Sequence, residues 1–356
     1  MAWTGKSKTS FLHYLHLPSL FSLKPSTLSL TIKDVLILKE LLSAQDDYVS
    51  GSRLAETLGI SRVAIWSHME KLRTQGFDFE AIRSKGYRLI KRPAALSESL
   101  LLASMPRAAS QLKLVLLDET DSTNSEAERM LANGEEAPFL VLARRQSKGR
   151  GRLGRQWHSP DNGNLYASYA FRPDVSPARL STFTLWMGIN ICECVNAFFR
   201  VQSNIKWPND IHIGGRKVAG ILTEARMDAD QTRDLVLGIG LNINGDGNDW
   251  PEELKAIATS VRQETGRKQD ANHFAAALSG RVILAYEQFV NDTYRNRLRE
   301  RWSSYDALEG RQVSLFQGSA RVQGVARGID PHGALIVERD DGSRIQVRAG
   351  EVTLEK

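Results

Sequence analysis

The chain has 356 residues, of which 42% are hydrophobic and 25% charged, and its formal net charge is +6. These proportions are those of an ordinary soluble globular protein, and the length predicts two or three domains. The charge permits a polyanionic partner without proving one. No apolar run approaches the roughly 18 residues that a membrane-spanning helix needs, so we expect no membrane span.

The chain begins with a segment that lacks acidic residues. Residues 1–33 contain serines, leucines and four lysines, but no Asp or Glu. An organellar transit peptide can have this composition, although such peptides favour arginine, which is absent here. We interpret residues 1–32 as a disordered extension ahead of the first domain.

Within residues 33–93 a helical periodicity comes first, and the pattern of a helix-turn-helix follows at residues 52–72. Ala55 is small enough for two helices to cross closely, and Gly59 tolerates left-handed φ in the turn between them. Ser61 can cap the second helix. Because several independent requirements are met at once, we predict a helix-turn-helix.

The segment after these helices is interpreted as a wing. Residues 77–90 predict two short strands joined at residues 84–86, and residues 93–95 a linker. Residues 62–92 hold eight Lys or Arg against three Asp or Glu, a local excess of +5. A basic winged helix is typical of DNA binding, although the same fold also serves protein contacts alone. The candidate contacts to phosphates or base edges are Ser61, Arg62, Ser67, His68 and Lys85.

A polar stretch lies near the start of the predicted central domain, residues 94–308. Residues 121–126 follow a predicted strand, residues 112–117, and open a helix. Thr123 and Glu126 have the spacing of a capping box. Free amides at a helix N-terminus bind polar or anionic groups. Most capping boxes only cap, so this stretch alone does not predict a ligand.

The most basic segment is residues 144–157, with six cations, three glycines and no acid. Glycines let the backbone approach a ligand, and arginine forks suit carboxylate and phosphate oxygens. Because like charges repel, the segment becomes favourable when it closes on an anion; the alternative is a solvated basic turn. Residues 149–154 also fit the G-x-G-x-x-G dinucleotide fingerprint. Turn residues rather than a helix follow, so we reject a Rossmann fold.

Two later strands have functional features. Residues 205–213 predict a strand in which Pro208 marks a bulge or an edge, with a turn at residues 214–215. Lys206, beside Trp and Pro, is expected to be partly desolvated, which strengthens its attraction to a phosphate or carboxylate; the alternative is a snorkelling surface lysine. Residues 235–244 predict a strand with glycines at alternate positions, which leave room for a ligand.

The only two cysteines predict neither a disulfide nor a metal site. Cys192 and Cys194 are two residues apart in an apolar helical run and point to nearly opposite faces. We predict no metal site formed by protein side chains elsewhere. A reducing, cytoplasmic compartment fits.

Residues 309–356 alternate short strand patterns with turns. Strands are predicted at residues 312–316, 320–327, 334–338 and 344–348. Fewer than about 50 residues form only a marginal core, so we predict a small SH3-like β-barrel that leans on the central domain.

Five signatures taken together resemble one family. They are Asp-Ser-Thr-Asn at residues 121–124, Gln-x-x-Gly-Arg-Gly-Arg-x-Gly-Arg-x-Trp at 146–157, Lys-Trp-Pro-Asn-Asp at 206–210, Lys-x-Ala-Gly-Ile-Leu-x-Glu at 217–224 and Gly-x-Gly-x-Asn at 238–242. In that order they resemble the biotin protein ligases. The helix-turn-helix in front makes the chain more similar to the bifunctional ligases that also repress biotin operons.

The resemblance implies a multidomain α+β protein whose central mixed sheet, flanked by helices, is similar to the class II aminoacyl-tRNA synthetase core. Departures from the signatures, such as Leu153 and Val218, are interpreted as apolar fillers. The resemblance assigns catalysis to Lys206, Arg150 and Arg152. It assigns biotin contacts to Ser122, Thr123, Asn124, Gln146, Arg150, Gly151, Arg152 and Lys206, and nucleotide contacts to Trp157, Asn242 and Arg327.

The implied reaction brings two anions together. Biotin's carboxylate attacks ATP, with Mg²⁺ on the departing pyrophosphate, and the cations offset the repulsion. The resulting biotinyl-5′-AMP passes biotin to a lysine of the biotin carboxyl carrier protein of acetyl-CoA carboxylase. With the adenylate bound, the protein is expected to form a homodimer on operator DNA of biotin genes.

Two alternatives remain open. A lipoate ligase shares much of the fold, although the arginine-rich loop and the terminal barrel favour biotin. A ligand-sensing repressor with a decayed ligase core would be marked by loss of Lys206 or of the loop arginines, and both are present.

Overall fold

The computed structural model of the protein describes residues 30–228, 231–317 and 320–354. The predicted extension, residues 1–32, lies almost entirely outside these residues. The predicted domain boundaries stay predictions, although the three predicted domains each contain a β-sheet of their own.

The N-terminal region folds as the predicted winged helix-turn-helix. Its elements are α1 (Ile32–Ser43), α2 (Gly51–Leu58), α3 (Arg62–Thr74), β1 (Asp78–Ile82) and β2 (Gly86–Lys91). Gly59 ends α2 at φ 61°, the left-handed conformation that the turn requires. The Ser61 hydroxyl accepts from the Ala64 amide at 3.1 Å and so caps α3. Ile65 and Leu72 are buried, as their spacing predicts.

A short helix, α4 (Glu98–Ser104), contributes to the cores of the first two domains. Leu100 packs in the N-terminal core, whereas Leu101 lies in the central core. The Ser99 hydroxyl donates to the Gln75 side chain at the end of α3, at 2.8 Å. The predicted linker therefore leads into an element that both domains share.

The central region contains a seven-stranded mixed sheet. Its strands are β3 (Lys113–Thr120), β4 (Phe139–Gln146), β5 (Leu165–Phe171), β6 (Ser203–Lys206), β7 (Asp210–Ile213), β8 (Arg216–Asp228) and β9 (Gln231–Leu241). They lie in the order β3-β4-β5-β9-β8-β7-β6. Only β3 and β4 pair in parallel, and the other neighbours are antiparallel. The predicted mixed sheet is confirmed.

The two faces of this sheet are covered differently. The helices are α5 (Thr123–Ala132), α6 (Leu180–Phe199), α7 (Glu252–Lys255), α8 (Val261–Thr265), α9 (Ala271–Val290) and α10 (Arg295–Ser303). α6 and α9 pack on one face in the main apolar core. α5 packs on the other face through Ala127 in its middle and Leu131 near its C-terminus. The sheet beside the N-terminus of α5 is therefore left for polar side chains.

The single strand predicted at residues 205–213 is wrong, because the chain folds back within it. β6 ends at Lys206, β7 begins at Asp210, and these two residues pair across a tight turn. Pro208 lies in the turn and lacks the N–H that a continuous ladder needs. β6 becomes an edge strand of the sheet, as Pro208 suggested.

The C-terminal region forms a five-stranded antiparallel sheet. Its strands are β10 (Gln312–Gln317), β11 (Ala320–Ile329), β12 (Leu335–Glu338), β13 (Arg344–Val347) and β14 (Thr353–Leu354), in the order β13-β12-β11-β10-β14. The sheet leans on the central domain, since the Trp207 indole donates to the Gly333 carbonyl at 3.1 Å. Gly333 has φ 84°, and a Cβ there would lie 2.7 Å from Leu185, so only glycine fits this contact.

The two cysteines both lie on α6 of the central domain. Cys192 and Cys194 are both free, and burial raises the pKa of each thiol to about 11, so both are protonated near neutral pH. Within residues 30–228, 231–317 and 320–354, no cluster of His, Cys, Asp and Glu is suited to hold a metal ion. No helix in those ranges is long and apolar enough to cross a membrane.

Candidate active site

A cleft lies over the open part of the sheet, beneath residues 148–155, which we name the glycine–arginine loop. The N-terminus of α5, the turn between β6 and β7, the strands β8 and β9 and residues 351–352 complete its walls. Six separate stretches of sequence meet here. The predicted site residues that line the cleft are Ser122, Thr123, Asn124, Gln146, Arg150, Gly151, Arg152, Trp157 and Lys206.

Thr123 and Gln146 join helix α5 to the strand that leads into the loop. The Thr123 backbone amide and hydroxyl both donate to the side-chain oxygen Oε1 of Gln146, at 2.8 and 3.1 Å. The side-chain nitrogen Nε2 of Gln146 donates to the Ser159 hydroxyl at 2.9 Å. The predicted capping box is wrong: Ser122 is the N-cap, and the Glu126 carboxylate accepts from an arginine of its own helix. A long-range bond to Gln146 replaces the local cap.

Two glycines of β9 make the floor of the cleft. A Cβ on Gly238 would lie 2.2 Å from the Asn124 side-chain oxygen, and one on Gly240 would lie 2.5 Å from the Trp157 indole. The alternate glycines do leave room on this strand, but protein side chains occupy the space above them, so room for a ligand stays a prediction. Asn124 and Trp157 lie against the sheet because these positions carry no side chains.

Carboxylates of the chain itself hold the glycine–arginine loop closed. Arg150 pairs with Glu128 at 3.2 Å and with Glu224, and Arg155 pairs with Glu351 of the C-terminal region. None of these acids belongs to the loop. Carboxylates from three other parts of the fold thus neutralise this basic loop, and its closure on a bound anion stays a prediction.

Neighbouring residues at the tip of the loop have different surroundings. Arg152 is half-buried, and its guanidinium donates to the Asn209 side-chain oxygen at 3.1 Å. Burial lowers the pKa of this guanidinium, which still keeps its charge near neutral pH. Leu153 is 75% exposed with φ 55°, so its interpretation as an apolar filler is wrong. Val218 is buried, as that interpretation requires.

The two lysines of the cleft differ in their partners. Lys206 is half-buried, and no residue in the described part of the chain makes a hydrogen bond or ion pair with its ammonium group. The Lys217 ammonium lies 2.8 Å from the Asp210 carboxylate and 5.3 Å from the centre of the Trp157 ring. Lys206 is therefore the lysine whose charge is available to a ligand.

Sequence reasoning missed four residues of the site. Lys217, Asp210 and Glu224 belong to the quoted signatures, but the strand pattern alone gave them no role. Glu351 carried no signal, because its partner Arg155 is 196 residues away in sequence.

Two predicted nucleotide contacts do not line the cleft. Asn242 is buried, and its side-chain amide donates to the Thr259 carbonyl at 3.1 Å. Arg327 is exposed and pairs with Glu338 at 3.0 Å. The geometry does not support these two assignments, since both side chains are engaged elsewhere. Trp157 is the nucleotide-contact candidate that the cleft retains.

The candidate DNA-contacting residues are exposed except for one. His68 has only 19% of its side chain exposed, and its Nδ1 lies 2.7 Å from the Asp34 carboxylate. The expectation that His68 is available to DNA is therefore wrong. Those that are exposed are Ser61, Arg62, Ser67 and Lys85.

The Asp34 carboxylate ties α1 to the recognition helix α3. It is fully buried and accepts from the Lys71 ammonium at 2.6 Å and from the Thr31 amide at 2.7 Å, in addition to its contact with His68. Burial opposes its ionisation, but these bonds outweigh burial and hold the pKa of Asp34 below its usual value. These bonds hold the recognition helix α3 against α1.

The mixed sheet, the cationic cleft and the aromatic ring over its glycine floor define a nucleotide-dependent ligase joined to a DNA-binding domain. Residues 116–242 match the Biotin/lipoate A/B protein ligase family, residues 36–88 an HTH domain, and residues 310–354 the biotin protein ligase C terminal domain.

The similarity to individual relatives extends over most of the chain. It is 36% identical over 307 residues to the bifunctional ligase/repressor BirA of Bacillus subtilis, covering 85% of this chain and 93% of that protein. It is 32% identical over 323 residues to BirA of Escherichia coli, covering 87% and 96%. The solved biotin protein ligase from Aquifex aeolicus in complex with biotin and ATP matches with TM-score 0.59 and 28% identity, over 68% of this chain and 99% of that one. The chain belongs to the biotin protein ligase family, among its bifunctional ligase/repressors.

Proposed function

We propose that this protein activates biotin with ATP and transfers it to a lysine of the biotin carboxyl carrier protein of acetyl-CoA carboxylase. The observation that carries the proposal is the convergence of Arg150, Arg152 and Lys206 on a cleft that also holds Trp157. The solved relative from Aquifex aeolicus is a biotin protein ligase in complex with biotin and ATP, which favours biotin over lipoate. The intact set of cations argues against a repressor with a decayed ligase core.

In the first step, an oxygen of biotin's carboxylate attacks the α-phosphorus of ATP. A P–O bond forms, pyrophosphate leaves, and biotinyl-5′-AMP remains. Two anions must approach each other, so the reaction depends on fixed positive charge in a partly dry site. We assign Lys206 to both reacting anions because no described carboxylate engages it, and Arg150 and Arg152 to the phosphate and carboxylate oxygens that the loop covers.

Binding is assigned to the walls and the floor of the cleft. Donors and acceptors of the Thr123–Gln146 wall suit the polar groups of biotin, and Gly151 lets the loop backbone approach the ligand. The Trp157 ring, which lies against Gly240, offers a flat surface to the nucleotide base. The remaining biotin-contact assignments are Ser122 and Asn124.

In the second step, the amine nitrogen of the carrier's lysine attacks the carbonyl carbon of the mixed anhydride. A C–N bond forms, the C–O bond to AMP breaks, and the nitrogen loses a proton to solvent. Water would compete with the amine, so the closed glycine–arginine loop protects the adenylate until the carrier docks. Positioning rather than a dedicated general base drives this step.

Mg²⁺ is assigned to the nucleotide rather than to a protein cage. Asp210 and Glu351 are carboxylates that line the cleft, and they already pair with Lys217 and Arg155. This donor set fits an ion held mainly by phosphate oxygens. When bound, Mg²⁺ neutralises charge on the departing pyrophosphate.

The second activity is repression of biotin genes. The winged helix is exposed for DNA, but one copy makes few phosphate contacts and binds mostly without specificity. Two copies related by a two-fold axis would engage two half-sites. We propose that biotinyl-5′-AMP promotes a homodimer through the central domain and that the carrier competes for the same surface. Both activities place the protein in the cytoplasm, where ATP and operator DNA are found.

A transfer assay tests the ligase. The protein is incubated with labelled biotin, ATP and a carrier domain, and label is expected on the carrier. A carrier whose acceptor lysine is replaced by arginine is the matched control and should stay unlabelled. Absence of label, or equal transfer when lipoate replaces biotin, would contradict the proposal.

Sedimentation tests the repressor. Biotinyl-5′-AMP is expected to shift the protein from monomer to dimer and to tighten its binding to a duplex selected by the protein from a random DNA pool. A coupling of about 3 kcal/mol gives more than a hundredfold change in affinity. If the adenylate changes neither equilibrium, the regulatory half of the proposal fails and the ligase remains.

A further inference from the structure

The recognition helix carries two large apolar side chains that face solvent. Val63 is 76% exposed and Trp66 is 58% exposed. They are three residues apart on α3 and therefore share one face of the helix. Exposed apolar side chains three residues apart on a recognition helix call for a partner surface with apolar groups of its own.

The polar residues of the same helix offer little to base edges. His68 and Lys71 turn back to buried Asp34, so only 19% and 14% of their side chains are exposed. Glu70 is acidic and lies 3.3 Å from Arg73. The outward face of α3 therefore presents the Ser67 hydroxyl and the Arg62 guanidinium beside the two apolar side chains.

We propose that Val63 and Trp66 read DNA through the 5-methyl groups of thymine, and so determine much of the sequence specificity of this protein. The inference rests on the proposed repressor function and deepens it. The second helix of a helix-turn-helix enters the major groove, and the thymine methyl is the one apolar group that the groove displays.

The charge around this face favours DNA as the partner. Arg62 at the start of α3 and Lys85 at the wing are exposed, and residues 62–92 carry an excess of five positive charges, eight basic against three acidic. Phosphates on both sides of a groove match such an arrangement. A second copy of the chain would bring the same positive charge to this face, and the two copies would repel each other.

Replacement of thymine by deoxyuridine tests the inference, because it removes only the methyl group. The probe is a duplex selected by the full-length protein, with biotin and ATP, from a pool with a randomised centre. Each thymine is replaced in turn, and the dissociation constant is measured. At the contacted positions we expect a loss of about fourfold per methyl group.

Variants assign the methyl groups to side chains. In Val63→Ala or Trp66→Ala, affinity falls and the loss on replacing the matching thymine disappears, because the contact is already gone. Val63→Thr keeps the branched shape and one methyl group, so its deoxyuridine loss should lie between those of the wild type and Val63→Ala, which separates loss of contact from loss of fold. Leu284→Ala is the matched control, because Leu284 on α9 is also apolar and is 46% exposed. This variant should leave DNA affinity unchanged.

Lys85→Ala distinguishes phosphate binding from base reading. It should weaken binding to all duplexes alike and lower the salt dependence by about one charge, while the deoxyuridine losses persist. Insensitivity of every thymine, or equal deoxyuridine losses in the wild type and in both alanine variants, would overturn the inference while leaving the repressor function standing. Failure to select any duplex would overturn both.

Discussion

The recognition helix and the glycine–arginine loop are both basic, yet their structures have different origins. Helix α3 is specified by residues within it and next to it: Ser61 caps it, Gly59 turns the chain into it, and its apolar spacing buries Ile65. The loop is positioned by partners from other parts of the fold, since Glu128, Glu224 and Glu351 neutralise it.

The difference shows what a run of positive charge means. On the helix, Arg62 is exposed and available to a polyanion outside the protein. On the loop, Arg150 and Arg155 already pair with carboxylates of the chain, so an incoming anion exchanges partners rather than meeting bare charge. Basic composition predicted an anion in both places but not which anion.

Replacement of Lys206 should have the largest effect on catalysis. It tests whether a lysine without an ion-pair partner among the described residues binds the substrates. Lys206→Ala should slow adenylate formation by about 100-fold or more, because the lost contact acts mainly in the transition state. Pyrophosphate release at saturating biotin and ATP measures it. Lys255→Ala, a surface lysine that pairs with Glu252, is the control. A near-normal rate in the Lys206 variant would remove that residue from its assigned role.

Asp34 tests a long-range contact within the locally encoded domain. Asp34→Asn should destabilise the packing of α1 on α3 by about 3 kcal/mol, because Lys71 loses a buried partner. Hydrogen exchange of the amides in both helices measures this in the full chain, with exposed Asp47→Asn as control.

The same variant gives a pH dependence. Since the folded pKa of Asp34 is depressed, its contribution is present above about pH 4 and is lost as the pH falls through the lower folded value. The difference between the wild type and Asp34→Asn should therefore be full at pH 7 and shrink in acid. A difference that stays constant into acid would contradict the ionic role of Asp34.

Gly240 tests the floor of the cleft, where close packing takes the place of charge. Gly240→Ala should raise the KM for ATP about tenfold, because its Cβ would lie 2.5 Å from the Trp157 indole and displace the ring. Gly188→Ala is the matched control, since a Cβ there meets nothing closer than 3.7 Å. Equal ATP kinetics in the two variants would separate Trp157 from the nucleotide.

Glu351 should give the smallest effect, because the side chains of this residue and Arg155 are 46% and 65% exposed. Such pairs contribute at most about 1 kcal/mol, so Glu351→Gln should speed trypsin cleavage in the loop by no more than about fivefold. Glu252→Gln, at an exposed carboxylate that pairs with Lys255, controls for the lost charge. Saturating biotin and ATP should slow cleavage in all three proteins, and unchanged cleavage would contradict the role of the loop as a lid.

The sequence by itself determined the features that depend on neighbours in the chain. Gly59 predicts the turn and Ser61 the helix cap of the winged helix, because each residue acts on backbone no more than three residues away. The alternate glycines of β9 predict a strand face without side chains, since strand geometry alone puts them on one side. The five signatures, in their order along the chain, indicated the ligase family.

Only the tertiary structure decided where side chains find partners. Thr123 bonds to Gln146 instead of capping its own helix, and His68 turns inward because buried Asp34 needs donors. Asn242 and Arg327 are held elsewhere by groups that no local pattern reveals. These outcomes depend on which distant groups the fold brings within 3 Å or so, and a buried polar group must take whatever partner lies there.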